Sequence, residues 1–253
     1  MNYLQKKKLA FMSIVNRIKG FIRTVTGVLP LTLTNCVDED CIIKFKLYGQ
    51  NGGVGENDEN TGKYAIPITV SGKNILNPNN FKGGSLTTYN GILCYKYLDG
   101  GSGNFTYTDD FKASTQYTFT IKIYSTDSTK NTAIKFTYTD GTSNTLVIRD
   151  NVFYTSVTMK GKTLQSIKGE WYYGVTRYID LSVSQLEEGT IATDYEPYHE
   201  PITTNLYVDK PLYSDEFVKV LNIPTFKGTT IVSADTTIQP SNVEIEYYSN
   251  IKE

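Results

Sequence analysis

Tyr117, Phe119, Ile121 and Ile123 fall on alternate positions, the period of two that turns one side of a β-strand toward a core and the other toward water. A second run spans Ile134 to Thr139, and after the Asp140-Gly141 pair a third spans Thr145 to Ile148, so a hairpin is expected there. Short Thr/Tyr/Ile/Phe runs separated by turn residues continue over residues 73–198. This pattern predicts an antiparallel two-sheet sandwich of the jelly-roll type. Residues 28–72 hold one apolar run, Ile42 to Tyr48, and then the polar, glycine-rich stretch Gly49 to Gly62, and read as a β linker region. Beyond the sandwich, strands are expected at Leu206–Val208, Phe217–Leu221, Thr229–Val232 and Val243–Tyr248. Pro201, Pro211, Pro224 and Pro240 punctuate them, which suggests a small C-terminal β module or arm over residues 201–253.

Residues 1–27 follow a different period. Leu4, Phe11, Ile18 and Val25 are seven apart, and Ile14 and Phe21 fill intermediate positions, so the six form one stripe of a helix. Lys6, Lys7, Lys8, Arg17, Lys19 and Arg23 make the segment basic, with no acid before Asp38. The expectation is a basic amphipathic helix, bent or ended at Gly20 and limited by Gly27 and Pro30. Its stripe needs a partner: the chain's own β domain, sister chains or a larger assembly, or an anionic membrane surface. The apolar run after the lysines is too short for a secretory signal, and no run approaches the roughly 20 apolar residues of a membrane span.

Composition narrows the chemistry. The 253 residues carry 25 basic and 26 acidic side chains, so no global excess of positive charge favours nucleic acid. Threonine is abundant, and 20 Tyr stand against 3 Met and 1 Trp, a bias that suits pleated sheets. The single histidine, His199, excludes catalytic triads built on histidine together with a second imidazole and multi-histidine zinc sites. Cys36, Cys41 and Cys94 are odd in number and lack a C-x-x-C spacing, which points to a reducing compartment without a disulfide framework or metal site.

Two stretches carry a resemblance. Gln185-Leu186-Glu187-Glu188-Gly189-Thr190-Ile191-Ala192-Thr193-Asp194-Tyr195-Glu196-Pro197-Tyr198 resembles the closing strand of carbohydrate-binding-like jelly rolls in bacteriophage tail and baseplate proteins, and Lys73-Asn74-Ile75-Leu76-Asn77-Pro78 resembles their opening. The similarity spans about residues 73 to 198, within a module expected over 73–200. The flanks, Tyr3 through Gly27 and Ile223 through Asn242, are similar to parts of prophage structural proteins of Gram-positive hosts. The resemblance implies a virion structural protein assembled in the host cytoplasm, at a tail tip, baseplate or fibre, with adhesion to host glycan or assembly as its work. A head fibre or decoration protein without a receptor role is the alternative, and a glycan-degrading enzyme is a third. The resemblance also implies other phage structural proteins as partners and a homo-oligomer, a trimer above all, held by Leu4, Phe11, Ile14, Ile18, Phe21 and Val25.

Candidate chemistry is sparse. Glycan cleavage requires two carboxylates across the scissile bond, and the candidates are Asp109 with Asp110, Glu170, and Glu187 with Glu188. Adjacent residues on a strand point to opposite faces, so no catalytic pair is expected, and the acids of Glu187-Glu188-Gly189 read as turn and edge residues. Glu56, Asp58 and Asn60, or Asp99, Ser102 and Asn104, offer oxygens to calcium but lack the distal glutamate of a calcium loop, and neither a metal nor a cofactor is expected. Glycan recognition requires flat aromatic faces beside hydrogen-bonding groups. Trp171, Tyr172 and Tyr173 with Arg177 and Tyr178 have that content, and Tyr95 and Tyr97 share a strand face. For each of these a place in the core or along the sheet is the competing reading.

Overall fold

The strand-rich pattern becomes two compact units, Lys73–His199 being inserted between the two halves, 1–72 and 200–253, of the other. The computed structural model describes residues 21–47, 56–58, 63–99, 104–170, 174–208, 217–234 and 242–250. Among them the structure is mainly antiparallel β, with one 3-10 turn, Pro78–Asn80. No helix of the described residues is long and apolar enough to cross a membrane.

The outer unit is one nine-stranded sheet. Its main path runs Ile202–Val208, Lys63–Gly72, Gly228–Ala234, Leu31–Cys36, Asn242–Ser249, Asp40–Leu47 and Phe217–Pro224, and it is nearly closed into a barrel. Phe21–Gly27 pairs with Asn242–Ser249, and Glu56–Asp58 with Lys63–Gly72. Leu33, Ile43, Ile68, Val232, Val243 and Ile245 fill its core. Two expectations are corrected here. Residues 28–72 and 201–253 are not a linker and a separate arm, because their strands interleave in this one sheet. Prolines mark where strands end, as Pro224 does here, but not which sheet the strands join.

The second correction concerns the N-terminal helix. Phe21 and Val25 lie in the strand Phe21–Gly27, which is rich in the β-branched residues Ile22, Thr24, Val25 and Thr26. A spacing of four fits one face of a strand as well as one face of a helix, so Phe21 and Val25 share a face either way. Val25 packs against the core while Phe21 remains 45% exposed. Leu4, Phe11, Ile14 and Ile18 lie outside the described residues.

Lys73–His199 is a sandwich of two antiparallel sheets. One runs Phe153–Val157, Tyr117–Ser125, Val175–Asp180, Ile92–Asp99 and Gly84–Tyr89, with Gln185–Glu188 also beside Tyr117–Ser125. The other runs Ser143–Ile148, Thr132–Tyr138, Leu164–Gly169, Thr106–Tyr107 and Phe81–Lys82. The hairpin expected at Asp140-Gly141 forms, with Gly141 at φ 81°, a conformation that favours glycine. The inward rows of both sheets share one core: Phe119 meets Phe136 edge to face at 5.9 Å, and Phe81 stacks on Tyr95 at 4.7 Å. Each such ring removed from water stabilises the fold by about 1.5 to 3 kcal/mol.

The two ends of the sandwich are tied together by a buried polar network. Asn74 Oδ1 accepts the backbone N–H groups of Leu76 (3.0 Å) and Leu186 (3.2 Å), while its Nδ2 donates to the Glu196 carbonyl at 2.9 Å. Gln185 donates to Glu187 Oε1 at 2.8 Å and accepts the Glu196 N–H at 2.9 Å. Glu187 also accepts the N–H (3.0 Å) and hydroxyl (2.7 Å) of Thr193, and Lys73 pairs with Glu196 at 3.2 Å. Asn74, Gln185 and Glu187 are each at most 4% exposed. Glu187 and Glu188 therefore end a strand, Gln185–Glu188, rather than forming a turn, and only Glu188 faces solvent.

Two measurements check these points. Asn74→Ala leaves two buried N–H groups and a carbonyl without their partner, so urea unfolding should show a loss of about 2 to 3 kcal/mol. Glu188→Gln, which removes only a surface pair with Lys112, should cost at most about 0.5 kcal/mol. The three cysteines are buried, and none is in a disulfide. Burial, and next the neighbouring Cys36, pushes the Cys41 thiol up to about 12, and burial with Asp180 pushes Cys94 up to about 11. Raised acids favour the folded state below the ordinary thiol value of 9.0, and that contribution disappears as pH climbs toward 12. The urea midpoint should fall between pH 9 and pH 11, and replacing Cys41 and Cys94 with Ala should flatten that fall.

Candidate functional site: the outer face of the six-stranded sheet

The inward row Tyr117, Phe119, Ile121 and Ile123 leaves Thr120, Lys122 and Tyr124 on the opposite face of the same strand. Registers across the sheet continue that face: Lys122 lies opposite Phe153, Tyr124 opposite Tyr178, Tyr178 opposite Lys96, and Lys96 opposite Ser85. At the last pairing the strands approach closely at Gly84, where a Cβ would stand 2.1 Å from the Lys96 carbonyl oxygen. Glycine is required there.

These residues make an aromatic platform. Tyr89 stacks on Tyr178 with ring centroids 4.1 Å apart and planes inclined by 15°. Tyr124 lies 5.8 Å from Tyr89. Lys122 Nζ sits 5.1 Å from the Tyr124 ring centre and 5.0 Å from that of Phe153, whose side chain is 53% exposed. Thr120 and Thr155 add a hydroxyl pair at 3.2 Å. Beneath the rings, the Tyr124 hydroxyl donates to Asp180 Oδ2 at 3.0 Å, and Asp180 Oδ1 accepts the Ser182 N–H (3.0 Å) and hydroxyl (2.7 Å). Burial, with Asp180 beside it, pushes the Tyr124 hydroxyl up, so it remains a donor at neutral pH. Half-buried rings held by such bonds present fixed flat faces, with threonine and lysine donors around them. That combination stacks on the C–H faces of sugars and bonds their hydroxyls.

The residues singled out in the sequence are distributed differently. Tyr95 and Tyr97 do share a strand face, and it is the inner one, where each is 2% exposed. Arg177 is also interior, 1% exposed, and donates to the carbonyls of Lys130 (3.2 Å) and Asn131 (2.8 Å). In those positions none of the three offers a surface to a ligand. Trp171, Tyr172 and Tyr173 lie outside the described residues. Tyr178, the neighbour of Arg177, faces the opposite way and joins the platform. Tyr89, Tyr124, Phe153, Lys96 and Lys122 were missed. A signal existed for Tyr124, an aromatic out of phase with the apolar row of its own strand.

The acids are engaged in structure. Glu170 pairs with Lys135 at 3.0 Å, Asp109 accepts the Tyr107 hydroxyl at 2.9 Å, and Glu187 belongs to the buried network. Among the described residues no group of three His, Cys, Asp or Glu could hold a metal ion. Of the calcium candidates, Asn60 and Ser102 lie outside the described residues. A concavity of about 280 Å³ opens in the other unit, lined by Ile22, Ile42 and Tyr248 with Glu39, Asp40 and Glu246. Tyr247 and Asn222 complete its lining.

No family model matches the sequence, and no curated protein matches it either. Among solved structures the chain is weakly similar to mutants of a family 29 carbohydrate binding module. In one of these the TM-score is 0.32 at 15% identity, covering 48% of this chain and 91% of that one. A second mutant of the same module, complexed with cellulohexaose, also aligns with TM-score 0.32 and 15% identity, over 49% of this chain and 92% of that one. Infectious bursal disease virus, Gt strain, aligns with TM-score 0.19 and 12% identity over 92% of this chain and 82% of that one. None of these likenesses is close enough to assign a family.

Arg177 and Tyr178 should separate by stability. Arg177→Leu removes the buried guanidinium's charge-assisted bonds to the Lys130 and Asn131 carbonyls and should cost about 1.5 to 3 kcal/mol in urea unfolding, while Tyr178→Ala on the outer face should cost about 1 kcal/mol or less.

Proposed function

We propose that this chain is a non-enzymatic structural protein of a bacteriophage or prophage virion, at a tail tip, baseplate or fibre, whose residues 73–199 adhere to glycans of the host surface. The observation that carries the adhesion reading is the stacked Tyr89–Tyr178 pair, continued by Tyr124 and Phe153 across one open sheet face. Buried tyrosines complete a core, but these rings lie on the side away from it, among threonine hydroxyls. The virion setting rests on the resemblance of the Gln185–Tyr198 and Lys73–Pro78 stretches to phage modules. Catalysis is left out because Glu170, Asp109 and Glu187 serve structural bonds. In the same reading, Leu4, Phe11, Ile14 and Ile18 supply the contact to sister chains, as a trimer, or to the particle.

The test is retention of the full chain on cell-wall polysaccharide from a panel of Gram-positive bacteria, with released reducing ends assayed in parallel. Tyr178→Ala should weaken retention about fivefold or more, the equivalent of about 1 kcal/mol from one stacked ring. Tyr89→Ala should act similarly, and no reducing ends should appear. If both variants fold with wild-type stability and are retained like the wild type, the platform is not the binding surface.

A further inference from the structure

The charge on this face is one-sided. Its two carboxylates are consumed internally: Asp180 by Tyr124 and Ser182, Glu187 by Gln185 and Thr193, and both are at most 4% exposed. Lys96 and Lys122 remain, and neither forms an ion pair among the described residues. Elsewhere in the same unit Lys73, Lys112, Lys135 and Lys162 each hold a carboxylate. Lys82, Lys160 and Lys168 also lack one among the described residues, and of the lysines without a carboxylate it is Lys96 and Lys122 that flank the aromatic row.

Their placement brackets it. Lys96 is exposed directly opposite Tyr178, and Lys122 stands between the rings of Tyr124 and Phe153. The strand registers put the two backbone positions two strands and two residues apart, about 12 Å. That spacing suits acid groups repeated along an extended chain better than a single acid group. Resting on the glycan reading above, we infer that the platform binds an anionic polysaccharide. The sugar faces lie on Tyr178 and Tyr89, and the acid groups, carboxylate or phosphate, reach Lys96 and Lys122. Salt bridges to an exposed lysine are weak alone, and pairing each with a stacked sugar is what makes two of them selective.

The experiment measures binding of the full chain to polygalacturonate, to the same polymer methyl-esterified, to poly(glycerol phosphate), to a neutral β-glucan and to oligo(dT). At least one of the two anionic polymers should bind about tenfold or more tightly than both uncharged ones, and its binding should weaken as salt rises from about 0.05 M to about 0.5 M. Comparing the uronate with the phosphate polymer tells which acid group is preferred. The Lys96→Ala, Lys122→Ala double variant should lose about tenfold toward the anionic polymer and bind the neutral ones as before. Lys82→Ala with Lys168→Ala, on the outer sheet of the opposite side, should change nothing. Equal binding of the polymer and its ester, or binding of the neutral glucan alone, overturns the charge preference and leaves glycan adhesion standing. Equal losses in the two double variants show diffuse attraction and overturn it as well. Tighter binding of oligo(dT) than of any polysaccharide, or binding of none, overturns both readings.

Discussion

The arrangement of the inserted sandwich depends on one buried carboxamide, Asn74. Its single side chain satisfies backbone groups at Leu76, two residues away, and at Leu186 and Glu196, 112 and 122 residues away. Around it, Gln185 and Glu187 bond each other, Thr193 and the Glu196 N–H. Networks of this kind are costly when incomplete and specifying when complete. This one holds Gln185–Glu188 beside Tyr117–Ser125, the strand whose inward apolar row leaves Thr120, Lys122 and Tyr124 outward. The aromatic platform is thus built on a strand that the closing network borders.

Much of the strand content was legible. The alternation of Tyr117 to Ile123 and the Asp-Gly turn needed no tertiary information, because each is a local consequence of pleat and turn geometry. Phe21 and Val25 were misread because their spacing fits two periods. The separation of residues 28–72 from 201–253 failed for another reason: strand partners more than 170 residues apart, such as Ile43 and Ile245, leave no local signature.

The candidate site was the less legible part. Tyr95 and Tyr97 sit in a strand with Ile92, Cys94 and Leu98 on the other parity, so both faces look apolar and the sequence does not say which is inside. Arg177 carries a charge into the interior because carbonyls at Lys130 and Asn131 receive it, which only the folded loop reveals. The recognised closing motif drew notice to its acids as turn residues, whereas Glu187 is a hydrogen-bond acceptor in a dry setting. A sequence resemblance can therefore mark a stretch whose work is closure, while the aromatic platform is assembled from scattered tyrosines that no motif contains.

The insertion has a mechanical meaning. The sandwich joins the rest of the chain through two backbone crossings, at residues 72–73 and 199–200, and Lys73 is paired with Glu196 just inside them. A pull applied to the Tyr89–Tyr178 face leaves the module by both crossings at once. Force is shared between two covalent routes braced against each other, and neither end strand can be peeled away first without also breaking the dry contacts of Asn74. A tether of that form resists unzipping in the way a doubled line does, with its strength set where the two ends meet.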